Sequence, residues 1–386
     1  MSNAGRKIDL KAIAANVPLY RDHWNRHGIG LSRGPIDLLQ IPLLSKTEFR
    51  AAGIRGRLDA RFAGTDHTVE STSGSSGEPV EIRIDAASRR RRQWRFLKAL
   101  LAAGYRPGNK LWILSTHRSS RMNRILRWRH LDLRAHEEAL AARYQSERPN
   151  VLYGPLSALL SLSHGLPNSS ATHRRPHALI TTAEQLKPSD QRQLTDAFGC
   201  TASDFYGMTE TGLLAYRNAG ERHYRMAADD VFAEFLPAEA DPDLERLVIT
   251  TLRPCAMPLI RYDTGDLVRR DHGYPGVPIV EFIGREIDCV RLPSGRLISP
   301  YRLTLALETV PDINRYQIVQ RADFSIDLLI NSHLDDTTGL YARARAAVLR
   351  AIGADLQVRL EPMPQLYTPS PEKFRPVQSY AIAPPR

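Results

Sequence analysis

The chain has 386 residues, 42% hydrophobic and 25% charged, which excludes a disordered or low-complexity protein and suggests two or three folded units. No apolar run approaches the roughly 20 residues of a membrane span, the N-terminal MSNAGRKIDLKAIAANV lacks the apolar block of a secretory signal, and a cytoplasmic protein is expected. Cys200, Cys255 and Cys289 are too few and too scattered for a disulfide framework or a zinc site and are expected to be buried small residues.

The net charge of +11 is concentrated in Arg89, Arg90, Arg91, Arg92 and Arg95, and in Arg118, Arg121, Arg124 and Arg127, which recur every third residue along an expected helix. Such a surface attracts polyanions. No helix-turn-helix, zinc-finger or RNA-recognition signature accompanies it, so a solvated face is expected rather than a nucleic-acid site. A phosphorylated co-substrate or an acidic carrier protein would serve the patch equally well.

The first informative stretch is TVESTSGSSGEPVEIRI, residues 68–84. Thr68 to Glu70 and Val80 to Ile84 alternate apolar and polar residues at the period of half-buried strands. Between them, Ser71, Thr72, Ser73, Gly74, Ser75, Ser76 and Gly77 offer hydroxyls and unobstructed backbone N–H groups, which suits a loop that cradles a phosphate. The spacing is not that of a Walker loop, and a polar hairpin reads the same stretch equally well, while the alternating flanks argue against a plain linker. From about residue 95 to 285, strand-like runs (Lys110 to Ser115, Ala178 to Thr181, Arg246 to Thr250) are separated by helical patterns such as Val151 to Gly165 and Ser189 to Phe198. This alternation predicts an α/β fold of sheets and helices. After Ile287 the rhythm changes to helix (Pro300 to Thr309), strand (Tyr316 to Gln320), strand (Phe324 to Ile330), helix (Thr337 to Ile352), strand (Leu356 to Leu360) and a polar tail. A large unit over residues 1–286 and a small α/β cap over 287–386 are therefore expected, with the boundary near Glu286 to Asp288.

Four further stretches carry chemistry. In ASDFYGMTETG, residues 202–212, a short strand ends in Tyr206-Gly207; the ring can stack on a base, Thr209 can donate to a phosphate and Glu210 can take Mg²⁺. A plain Tyr-Gly turn is the alternative. In PLIRYDTGDLV, residues 258–268, Asp266 is placed at the end of a strand-turn unit where it could chelate a ribose diol or cap its own turn. Arg285, in FIGREIDCVRL, falls at the expected boundary, where it could touch nucleotide beside a hinge. The chain holds 46 arginines and 7 lysines, and Lys373 in TPSPEKFRPV is the only lysine after Lys187, a placement that hints at a required compact charge.

In this order the stretches resemble the adenylate-forming ANL superfamily, and within it the phenylacetate-CoA ligase-like and CapK-like branch. Ser71 to Pro79 is similar to the phosphate loop, Thr182-Ala183-Glu184 to the adenine-side motif, Tyr206-Gly207-Met208-Thr209-Glu210 to the adenine and magnesium motif, Tyr262 to Leu267 to the ribose motif, Gly284-Arg285 to the interdomain motif and Glu372-Lys373-Phe374 to the C-terminal lysine motif. Asn16 to Arg21 and Ile41 to Lys46 look like the branch's opening signatures.

The resemblance implies a two-step reaction. A carboxylate, expected to be aromatic, attacks the α-phosphate of ATP and releases pyrophosphate; a thiol, of CoA or of the phosphopantetheine on an acyl carrier protein, then displaces AMP. It also implies that Lys373, Thr209 and Glu210 are catalytic, that Glu210 holds Mg²⁺, and that Ser71 to Gly77, Ala183, Glu184, Tyr206, Gly207, Asp266 and Arg285 bind ATP. Three positions depart from the pattern: Glu78 stands where many relatives carry lysine, Ile287 replaces the first of two paired hinge aspartates, and no glycine precedes Glu372-Lys373. Adenylation with transfer to an amine, activation of a small inorganic acid such as nitrite, and a lapsed nucleotide- or polyanion-binding protein are the alternatives. The acid pocket is expected near Tyr153 to Leu162 and Phe205 to Gly212; His117 and Arg118 could meet a carboxylate or the phosphates, and a solvated histidine reads equally well.

Overall fold

The computed structural model describes residues 8–30, 37–71, 80–115, 128–131, 137–166, 175–332, 334, 336–353, 356–363 and 374–381. Thr72 to Gly77, Glu78, His117, Arg118 to Arg127 and Pro371 to Lys373 lie outside them.

The chain opens with short helices α1 (Leu10–Asn16), α2 (Pro18–Arg26), α3 (Lys46–Ala51) and α4 (Gly53–Arg57), the third begun by a capping box between Ser45 and Glu48. The hairpin β1 (His67–Ser71) and β2 (Glu81–Asp85) is antiparallel, as the alternation predicts. Asp85 then caps α5 (Ala86–Ala102), the arginine-bearing helix.

A seven-stranded sheet follows. Its strands are β3 (Leu111–Leu114), β4 (Trp128–Leu131), β5 (Val151–Pro155), β6 (Ala178–Thr182), β7 (Ala202–Met208), β8 (Gly212–Arg217) and β9 (Arg225–Met226), in the order β4-β3-β5-β6-β7-β8-β9. Pairing is parallel up to β7 and antiparallel beyond it. Helices α6 (Glu137–Glu147), α7 (Leu156–His164) and α8 (Pro188–Phe198) supply the crossovers, and α8 closes on Gly199 at φ +68. Trp112, Leu152, Leu159, Leu179 and Phe198 form the core on one side, and Leu100, Ile113, Ile180 and Phe205 that on the other.

Strands β10 (Val231–Pro237), β11 (Glu245–Thr251), β12 (Tyr262–Arg270) and β13 (Ile279–Arg285) form an antiparallel sheet in sequence order. Its apolar face joins Ile82 and Ile84 of β2 and Tyr20 and Trp24 of α2 in a common core. After the single turn Glu286–Asp288 come β14 (Val290–Arg291), β15 (Leu297–Ile298), α9 (Pro300–Glu308), β16 (Arg315–Gln320), β17 (Ile326–Asn331), α10 (Thr338–Ile352), β18 (Val358–Pro362) and β19 (Val377–Ser379). These residues share their own core, including Leu303, Ile318, Leu328, Val348 and Val377.

The α/β class expected from the alternation is what the structure shows, but four local expectations are corrected. Val151 to Gly165 is a strand and then a helix, because residues 151–155 are buried within the parallel sheet and lose the strand period. The polar tail contains β19, which pairs in parallel with β16. Arg92 and Arg95 are not solvated: Arg95 is buried and Arg92 half-buried. Of the cysteines only Cys289 is fully buried.

Candidate active site

The seven-stranded sheet reverses direction between β7 and β8, where Thr209, Glu210 and Thr211 make the turn. A side chain at position 207 would come within 2.9 Å of the Gly212 carbonyl and 3.1 Å of Leu213 Cα, so glycine is required there. Gly212 itself sits at φ +73. The turn folds Glu210 inward, 7% exposed, where its Oε1 accepts a 3.1 Å hydrogen bond from the hydroxyl of buried Tyr262. Tyr262 is fixed in turn by Leu44, whose N–H reaches the Arg261 carbonyl at 2.9 Å and whose carbonyl accepts from Asp263 N at 2.9 Å.

Asp266 and Arg285 face each other across β12 and β13, with Nε 3.6 Å from Oδ1. Asp266 therefore lies inside a strand and not at the end of a turn. Its Oδ2 accepts a 2.5 Å hydrogen bond from the Tyr206 hydroxyl. The Tyr206 ring, expected to stack on a base, lies on Phe282 at 3.6 Å and 11°. Burial and then the Asp266 charge hold the Tyr206 hydroxyl well above its usual pKa. Just beyond β13, Asp288 accepts from Arg375 Nη1 at 2.7 Å, and burial pushes its carboxyl up even so.

The opposite wall follows β6. Ala183 adopts φ +72, a left-handed conformation that turns the chain sharply at the sheet edge. Glu184 accepts from Ser157 N at 3.1 Å and from Ser157 Oγ at 2.6 Å, so it serves the first turn of α7. Burial raises the Glu184 carboxyl.

These pieces enclose a cavity of about 230 Å³. Ala183, Glu184, Tyr206, Gly207, Thr209, Glu210, Asp266 and Arg285 all line it. Ser71 ends β1 and is not on the wall. No protein-family profile matches the chain. The phenylacetate-coenzyme A ligase of Thermus thermophilus is 26% identical over 349 residues, spanning 81% of this chain and 75% of that protein. The structure overlays on solved 2-hydroxyisobutyryl-CoA ligase in its postadenylation state, complexed with R3-HIB-AMP, at a TM-score of 0.73 and 17% identity, covering 97% of this chain and 87% of the other. In sequence the chain is thus similar to a phenylacetate-CoA ligase, and its fold is that of solved acyl-CoA ligases. The anthranilate-CoA ligase AuaEII, solved with anthranoyl-AMP, shares the fold at a TM-score of 0.59 and 13% identity over 77% of this chain and 63% of its own.

The cavity also contains residues that the sequence left without a role. Lys46, in the opening signature Ile41 to Lys46, reaches the wall because the Leu44 bridge carries it to β12. Phe374 to Gln378 enter from the C-terminal segment; only their place after Glu372-Lys373 could have signalled them. Tyr153 is not on the wall; it packs against Phe96 and Phe205 in the core, while Phe205 to Glu210, in the other segment expected near the acid, line the cavity. Among the described residues no group of three or more His, Cys, Asp or Glu side chains could hold a metal. Glu210 alone still suits Mg²⁺, which binds through one or two carboxylates plus substrate phosphates.

Proposed function

We propose that this protein is an ATP-dependent ligase that converts a carboxylic acid to its acyl-adenylate and then to a thioester. The observation that carries the reading is the convergence of Tyr206, Thr209, Glu210, Asp266 and Arg285 on one cavity, at the edge where β7 hands over to β8. In the first step a carboxylate oxygen bonds to the α-phosphorus and the bond to the bridging oxygen breaks, releasing pyrophosphate. In the second, a thiolate sulfur attacks the acyl carbon and AMP leaves.

The chain's own groups would position and neutralise rather than form covalent bonds. Asp266 and Arg285 would hold the ribose and nearby phosphate, the Tyr206 to Gly207 edge the base, and Thr209 would donate to a phosphate oxygen, with Ala183 and Glu184 on the adenine side. Ser71 to Gly77 would hold the departing pyrophosphate, and Lys373 would bring a point charge to the α-phosphate. A magnesium ion, arriving with the nucleotide and held by Glu210, would neutralise phosphate charge. Residues 287–386 would move as a unit about Glu286 to Asp288, carrying Lys373 with them. The acid would be a planar, aromatic one, and the second nucleophile CoA or a carrier-bound phosphopantetheine. Ile287, 59% exposed in the hinge turn, favours one second reading, transfer to an amine or activation of nitrite without a thiol.

The test is pyrophosphate release from ATP and Mg²⁺ over a panel of aromatic, aliphatic and small inorganic acids, with and without CoA. Acid-dependent release is expected, falling about 100-fold or more in Lys373→Ala and Glu210→Gln. ATP binding without release for any acid would overturn the proposal, and product formation indifferent to CoA would select the second reading.

A further inference from the structure

The arginines of α5 do not all face water. Arg92 donates through Nη1 to the Thr209 carbonyl at 2.9 Å and through Nη2 to the Glu210 carbonyl. One turn further on, Arg95 donates through Nη1 to the carbonyls of Thr211 at 3.2 Å and Leu213 at 2.9 Å, and its Nη2 is paired with Asp230. The β7–β8 turn thus has its outward carbonyls answered by two guanidinium groups, which a buried turn needs. Arg92 also lies 3.8 Å from Glu70, the last residue but one of β1, the strand that runs into Ser71 to Gly77. Its stem rests on Gly212, where an added Cβ would sit 3.3 Å from Arg92 Cγ and Cδ.

We propose that Arg92 is a positioning residue for nucleotide: it aims the Thr209 hydroxyl and the Glu210 carboxylate by holding those residues' own carbonyls, and it ties that turn to the strand bearing the hydroxyl-glycine loop. Two neighbouring carbonyls need a planar fork, and a lysine ammonium cannot reproduce it. Arg95 braces the far side of the turn and Asp230 keeps Arg95 in place. The proposal rests on the adenylation reading given above.

The experiment compares wild type with Arg92→Ala, Arg92→Lys and, as a control on an exposed position of the same helix, Arg90→Ala. Three quantities are read: adenylation kinetics with the best acid, the gain in ATP affinity that Mg²⁺ brings in calorimetry, and recovery on adding guanidinium ion. Arg92→Ala is expected to lower kcat about 10- to 100-fold, as loss of a residue supporting a ligand-bearing group does. KM for the acid stays within about twofold, since only the nucleotide side is disturbed. The Mg²⁺-dependent gain in ATP affinity shrinks, Arg92→Lys recovers little, and guanidinium restores part of the Arg92→Ala activity. Arg90→Ala behaves as wild type. The proposal is overturned if Arg92→Ala keeps wild-type kcat and Mg²⁺ response, or if its loss follows the folded fraction by circular dichroism and guanidinium restores nothing. An active wild type with an indifferent Arg92→Ala sinks this inference alone. A wild type that binds ATP and adenylates no acid sinks the adenylation reading and this inference with it.

Discussion

Asp85 accepts hydrogen bonds from Ser88 N at 2.8 Å, Ser88 Oγ at 2.7 Å and Ala256 N at 3.0 Å. It therefore starts the helix that carries Arg92 and pins the segment leading into β12. Burial pushes its carboxyl up, but these bonds outweigh the burial and hold it below its ordinary value. A carboxylate with a depressed folded-state pKa contributes stability above its unfolded pKa and loses it as pH falls through the folded one. Asp85→Ala is expected to cost about 3 kcal/mol at neutral pH, combining a lost cap with an orphaned N–H. In urea melts the gap to wild type should narrow below about pH 4, where the carboxylate of the unfolded chain takes a proton before that of the folded one; a gap independent of pH would refute the assignment. At this scale the sequence was partly legible. Tyr206, Thr209, Glu210, Asp266 and Arg285 stand out as residue types in ordered motifs, whereas Arg92 was hidden in a run of identical charges. Nothing local separates an arginine that meets water from one that meets a carbonyl 117 positions away.

Elements were legible where their period survives burial. The β1–β2 hairpin alternates and is read directly, while β5 is apolar on both faces and merges with α7 into one apparent helix. Three-residue β19 has no period at all; what makes it a strand is β16, about sixty residues earlier, to which it adds at the sheet edge. Val377, 2% exposed, is its contribution to the C-terminal core. Val377→Asp would bury an unpaired carboxylate, with an expected cost of at least about 3 kcal/mol. Limited proteolysis should then cut after Asp288 while the seven-stranded sheet stays protected. Unchanged resistance of the C-terminal part would show that β19 is not needed for its stability.

At the scale of the molecule, the helices of the larger sheet meet the C-terminal residues through polar contacts. Lys187 Nζ lies 4.2 Å above the Tyr316 ring and 3.7 Å from Glu308, and Ser189 Oγ donates to Glu308 at 2.9 Å. On the other flank, Arg302 Nε and Ser299 Oγ both donate to Asp241, at 2.6 and 3.0 Å. Polar seams of this kind suit parts that separate and close again. Glu308→Ala removes one of the groups facing buried Lys187, which Asp190 and the Tyr316 ring still face, at a cost of about 1–3 kcal/mol if the seam stays shut. Opening the seam rehydrates the ammonium, so we expect a larger radius of gyration in solution scattering with little change in melting temperature. A fall in melting temperature at constant size would mean a rigid seam. Among the described residues no helix could cross a membrane; how the parts meet was not legible, because Lys187 and Glu308 gain meaning only when folding brings them together. Within the structure, Asp266 already holds the hydroxyl of Tyr206, and the Tyr206 ring already has a flat partner in Phe282. On the proposed function, a ribose and a base arriving there would exchange with an internal mimic instead of filling a void. Binding strength would then be a difference between two similar sets of bonds, so a bare nucleoside would gain little, and the site would respond chiefly to a molecule that also brings phosphates.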